Sequence, residues 1–126
     1  MGEIVLAAKV THVPTLQMSE QEGPIKGKRQ PAIDGHLEIA RRAKALGVDT
    51  VVVCDTHWLV NAGFHINAND RFKGLLTSSE FPQFIRDMPY DHPGNPALGD
   101  AIAEKATELG VYTLAHHLDS LDLEYG

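Results

Sequence analysis

The run Val51-Val52-Val53-Cys54 is the strongest constraint on how this chain can fold. Three β-branched residues and a thiol, with no charge among them, suit a strand covered on both faces, as in a parallel sheet. A parallel neighbour needs a crossover connection, and one lies just upstream. From Pro31 to Leu46, the residues Ile33, Leu37, Ala40 and Ala43 share one helical face. Arg41, Arg42 and Lys44 take the wet face, and Gly47 is placed to close the helix in the left-handed conformation. Before this helix, residues 4–10 (IVLAAKV) form another short apolar run, broken only by Lys9. Apolar run, helix, apolar run is the pattern of a strand–helix–strand unit with a right-handed crossover.

The C-terminal third continues the alternation. Asn95 can cap a helix, Pro96 suits its first turn, and Leu98, Ile102, Ala106 and Leu109 recur at helical spacing before Gly110. VYTLAHH (111–117) then reads as a third strand entering the same sheet. The expected fold is α/β, a central, mainly parallel or mixed sheet flanked by helices. Between these parts, 61–94 is irregular: FHINAND offers a short strand, SSEFPQFIRDM a helical turn capped by Ser78 or Ser79, and Pro89, Pro93, Gly94 and Pro96 mark a loop. Residues 17–30, rich in Gln, Glu, Gly and Lys, read as an exposed loop long enough to act as a lid or partner contact.

Composition narrows the function. At 126 residues the chain is long enough for one domain with a real core, and 43% hydrophobic with 22% charged residues is a soluble globular balance. A net charge of −6 argues against a nucleic-acid partner, because phosphate recognition needs a clustered basic surface. No apolar run approaches the ~20 residues of a membrane span, and Glu3 and Lys9 interrupt what a signal peptide would keep apolar. The single cysteine, Cys54, excludes an internal disulfide framework and suits a reducing cytoplasm; within its apolar run it reads as a small core residue.

The seven histidines carry more information. His12, His57 and His116 each fall at or just past the carboxyl end of an expected strand, where open α/β sheets bind ligands. Imidazoles from adjacent strand ends can converge on one metal ion, and two His with one carboxylate suit non-haem Fe(II). A lone His after a strand is more often a hydrogen-bonded loop residue, and the chain has no HExxH, CxxC or Walker loop. Asp55 and Thr56 either orient His57 by hydrogen bonds or cap the loop. Trp58 reads as packing at the strand end, His36 as a surface or interface residue and His92 as loop. His65 alternates with apolar positions and can line a pocket; Asn61 can donate to a substrate or cap the next turn.

AAKVTHVPT, AIDGHLEIARRAKALGVDTVVVCDTHWLVNAGFHIN, FPQFIRDMPY and GNPALGDAIAEKATELGV together resemble the class III extradiol ring-cleaving dioxygenases of the protocatechuate-4,5-dioxygenase β-subunit superfamily. The similarity runs over essentially the whole chain. Its most specific pieces are Thr11-His12-Val13-Pro14 and Asp55-Thr56-His57-Trp58. The resemblance implies that His12 and His57 bind the metal, ferrous iron or alternatively Mn(II), and that His116 acts beside the substrate, His117 less so. It implies cleavage of a catechol, 3,4-dihydroxyphenylacetate above others, by dioxygen to a muconic semialdehyde.

The family's third ligand, a glutamate, and its main acid/base histidine belong to the C-terminal half of family members, beyond this chain. Asp122 and Glu124 do not stand in that glutamate's context. The chain is therefore expected to match the N-terminal part of a catalytic domain and to need a complementary segment or second subunit. An open sheet edge would also favour oligomers. Two other readings compete: a metal-free interaction domain or non-catalytic subunit of the same fold, and, more weakly, a zinc hydrolase using the same two histidines.

Overall fold

The first expected helix forms over Gln30–Ala45 (α2), one residue from its expected start and end. Leu46 N–H bonds back to the Arg42 carbonyl and Gly47 N–H to the Lys44 carbonyl, and Gly47 at φ +68° makes the left-handed stop. A shorter helix, α1, spans Thr15–Glu20. It corrects the reading of 17–30 as all loop, because Ser19 is a buried anchor there. The Ser19 hydroxyl accepts from Arg29 N–H at 2.9 Å and its carbonyl from Gly27 N–H at 2.8 Å, which folds the 21–29 turns onto α1. In this computed structural model, residues 2–121 and 123 are described, and the chain divides into two compact units, Met1–Asp55 and Thr56–Gly126.

Two expected strands are absent from the first unit. Neither 4–10 nor 50–54 pairs into a ladder, and α2 buries none of its residues; Leu37, on its apolar face, is 63% exposed. Ile4 is 89% exposed and Val52 62%, and Cys54 is exposed rather than core. The composition of a covered strand does not make a strand until a second backbone offers its N–H and C=O groups. Within this unit none does so for either run, and the apolar face of α2 has no sheet to cover.

The second unit holds β1 (Phe64–Asn67), β2 (Arg71–Leu76), β3 (Met88–Pro93), α3 (Pro96–Glu108) and β4 (Thr113–His116). Asn95 caps α3 as expected, its side-chain oxygen accepting from Leu98 N–H at 3.1 Å, and Gly110 at φ +80° follows the helix end. β1 and β4 are parallel neighbours, and α3 is the crossover element that precedes β4 and packs on both strands. That packing is close: a Cβ on Gly99 would stand 2.7 Å from the Cβ of Ala68, which is 1% exposed. Among the described residues of this unit, Ala68, Ala103 and Ile85 are the buried apolar side chains.

β2 and β3 form an antiparallel hairpin where the prolines had pointed to a loop. Pro89 and Pro93 are four apart, so both fall in one class of ladder position, which tolerates them where the missing N–H would point away from β2. Ser78, fully buried, accepts from Phe81 N–H at 3.0 Å and caps the expected turn over 81–85. Helices, a parallel pair and an antiparallel pair together make the fold α/β.

Candidate active site

Side chains alternate between the two faces of a strand, and in a parallel pair register partners share a face. Phe64 stands opposite Thr113, His65 opposite Leu114, Ile66 opposite Ala115 and Asn67 opposite His116. Ile66 faces α3, its Cγ2 3.5 Å from where a Gly99 Cβ would be, and by the register Thr113 and Ala115 share its face. The other face therefore carries His65, Asn67, Leu114 and His116. It is the polar face of this small sheet, and α3 does not cover it.

On that face two imidazoles meet. His65 Nδ1 and His116 Nε2 are 2.8 Å apart, and His65 Nε2 lies 3.1 Å from the Ala62 carbonyl oxygen. The rings are within 7° of parallel, with centroids 5.0 Å apart. That separation is close to the nitrogen–nitrogen distance plus two ring radii, so the rings lie edge to edge rather than face to face. The Trp58 indole meets His116 at 77°, centroids 6.4 Å apart, and closes another side. Both histidines are half-buried. His116 and Asn67 are the last residues of β4 and β1, at the carboxyl ends where α/β sheets bind ligands.

The next residue turns the opposite way. His117 Nε2 pairs with Asp100 Oδ1 on α3 at 2.8 Å, tying the end of β4 to the helix rather than joining His116. Asn69, also buried, donates to the Leu118 carbonyl at 2.9 Å and fixes the chain leaving β4. The sequence had not singled out Asn67 or Asn69; only the β1–β4 register gives them a place beside the histidines.

The other candidates take the following places along the chain. His12 is exposed in the first unit, two residues before Pro14, which leads into α1; it does not end a strand. His57 is half-buried in the second unit, in an irregular segment, and it too does not end a strand. Asp55, Thr56 and Asn61 are exposed, as is His36 on α2. His92 lies within β3 rather than a loop. Asp122 and Glu124 lie outside the described residues. Among the described residues no three His, Cys, Asp or Glu side chains group so as to hold a metal ion. A shallow recess on the β2–β3 hairpin, lined by Lys73, Tyr90 and Asp91 among others, holds no imidazole.

The model of the catalytic LigB subunit of aromatic ring-opening dioxygenase matches residues 6–126. The chain is 56% identical over all 126 residues to a 3,4-dihydroxyphenylacetate 2,3-dioxygenase of Escherichia coli, and it spans 46% of that protein's length. By this match over nearly its whole length, the chain belongs to the catalytic LigB family of aromatic ring-opening dioxygenases.

Proposed function

We propose that the chain is part of the catalytic domain of an extradiol dioxygenase that opens 3,4-dihydroxyphenylacetate beside its diol, inserting both atoms of dioxygen to give a muconic semialdehyde. The observation that carries this reading is the 56% identity over the full chain to a relative that bears that activity in its name. Atoms and electrons balance without an external reductant, because ring cleavage consumes both oxygen atoms. The protein must accept a proton from a catechol hydroxyl and return one as the ring opens.

In this reading His12 and His57 each contribute an imidazole to ferrous iron, with Mn(II) as the alternative. Neutral imidazole is a fitting donor for either. The described residues do not complete the donor set, so the carboxylate ligand comes from outside them. When bound, the metal supplies Lewis acidity toward the catechol oxygens and electronic access to dioxygen. His116 holds and returns the proton at the substrate, as a positioned imidazole acting in general acid–base catalysis does. Asn61 and His65 belong to the pocket wall, and Asp55 and Thr56 orient His57.

The exposed runs at 4–10 and 50–54 support a partner. In this reading they are covered by the part of the catalytic domain that this chain does not span, on the same or another chain, or by an oligomer partner. No described helix is long and apolar enough to cross a membrane, and we place the protein in the cytoplasm.

A preparation containing the chain and its complement, loaded with ferrous iron, should bind about one iron per catalytic domain. It should consume dioxygen one-to-one with 3,4-dihydroxyphenylacetate as yellow product forms. Neither iron nor turnover in such a preparation would overturn the reading. It would favour the metal-free interaction domain, for which the uncovered apolar runs are the one supporting observation.

A further inference from the structure

We propose that His65 is a positioning residue: it fixes which nitrogen of His116 carries the proton, so that His116 presents a bare Nδ1 lone pair to the site. The inference rests on the dioxygenase reading only for the use made of that lone pair; the tautomer itself follows from geometry.

The Ala62 carbonyl can only accept, so the nitrogen 3.1 Å away, His65 Nε2, carries a hydrogen. In a neutral imidazole the other nitrogen, Nδ1, is then a lone pair. The 2.8 Å contact between the two rings must be made by one hydrogen, and that hydrogen belongs to His116 Nε2. His116 Nδ1 is left unprotonated. Reversing the contact would require His65 to carry hydrogen on both nitrogens, as an imidazolium. The chain of donors runs from His116 through His65 to the backbone, and it ends on a carbonyl held in place.

That carbonyl is held by the start of β1. Gly63, next in sequence, has φ +75°, and a Cβ there would stand 2.5 Å from the Tyr112 carbonyl oxygen, so the strand enters through a backbone contact only glycine permits. Phe64 N–H bonds to that same Tyr112 oxygen at 2.9 Å, which locks Ala62 relative to β4. At the other end the Trp58 ring limits rotation of His116. His117, the neighbour that could compete, is turned away onto Asp100.

The test uses the full chain, ¹⁵N-labelled, and needs no turnover. Long-range ¹H–¹⁵N spectra should show His116 with a protonated Nε2 and a bare Nδ1, His65 with a protonated Nε2, and a coupling across the His65 Nδ1–His116 Nε2 bond. Averaged shifts on His116, or a protonated His65 Nδ1, would overturn the proposal. In the complemented enzyme, His65→Leu should lower kcat about 10- to 100-fold, the range for removing a hydrogen-bond partner that orients a functional imidazole. KM should stay within about twofold, and the His116 shifts should collapse toward their average. His65→Gln, which keeps an acceptor, should recover most of the rate. If His116→Ala abolishes turnover while His65→Leu leaves kcat unchanged, the positioning role fails and the dioxygenase reading stands. If no preparation turns over catechol, that reading fails, and the nitrogen shifts alone decide the tautomer.

Discussion

Gly99→Ala pits two effects of known sign against each other. Gly99 lies inside α3, where alanine in place of glycine favours the helix by about 1 kcal/mol. The new methyl, however, would meet Ala68 Cβ at 2.7 Å and Ala68 Cα at 3.3 Å, with Ile66 Cγ2 at 3.5 Å behind. Neither alanine has a rotamer to change, so α3 or the end of β1 must move. Forcing a methyl into a packed site costs about 1–3 kcal/mol, and a backbone obstacle belongs in the upper half of that range. The net expectation is a loss of about 1–2 kcal/mol, read as a Tm lowered by about 4–8 °C per kcal/mol for a unit of this size. Trp58, the sole tryptophan, lies in the same unit, so its fluorescence in a urea titration follows the relevant transition. The partner change Ala68→Gly removes the obstructing methyl, and the double variant should recover at least about 1 kcal/mol over the sum of the singles. A Gly99→Ala protein as stable as the parent, or additive singles, would refute the close packing of α3 on β1.

Asn95→Ala should cost α3 its N-terminal cap and about 1 kcal/mol, visible as an earlier urea midpoint with an unchanged slope. Hydrogen bonds from Arg41 and then Arg42 hold the Glu38 carboxyl down at about 2. A carboxyl depressed in the folded state adds stability above its ordinary value and loses it as pH falls toward 2, so a carbon-detected titration of Glu38 should find its midpoint in that window. Arg41→Ala should move the midpoint back up. Arg71, bonded to Asp91 through Nε and Nη2 at 2.7 and 2.8 Å, lowers the Asp91 carboxyl in the same way; Arg71→Ala should raise it and leave the β2–β3 hairpin paired. Both pairs are exposed and screened by solvent, so each variant should lower Tm only slightly.

The helices were legible because their signals are local. Asn95, Pro96 and Gly110 bracket α3, and Gly47 ends α2, without help from distant residues. β4 was legible too, and with it the place of His116 at a strand end. The runs at 4–10 and 50–54 were misread for a physical reason: composition says what a strand would suit, while a ladder needs a partner backbone. The hairpin was missed for the converse reason, since Pro89 and Pro93 argue against a strand until their spacing is set against a register. The contact between His65 and His116 crosses 51 residues and depends on parallel pairing through α3, which no local pattern encodes. His12 and His57 became candidates by their place after runs expected to be strands, and the resemblance then assigned them the metal.

The central claim, that this chain serves ring opening through His12 and His57, is tested most directly by turnover under ¹⁸O₂. The complemented, iron-loaded protein should convert 3,4-dihydroxyphenylacetate to a semialdehyde carrying both labelled atoms, and His12→Ala and His57→Ala should each abolish product. Undiminished labelled product from the double variant, or cleavage between the two hydroxyl carbons, would contradict the account.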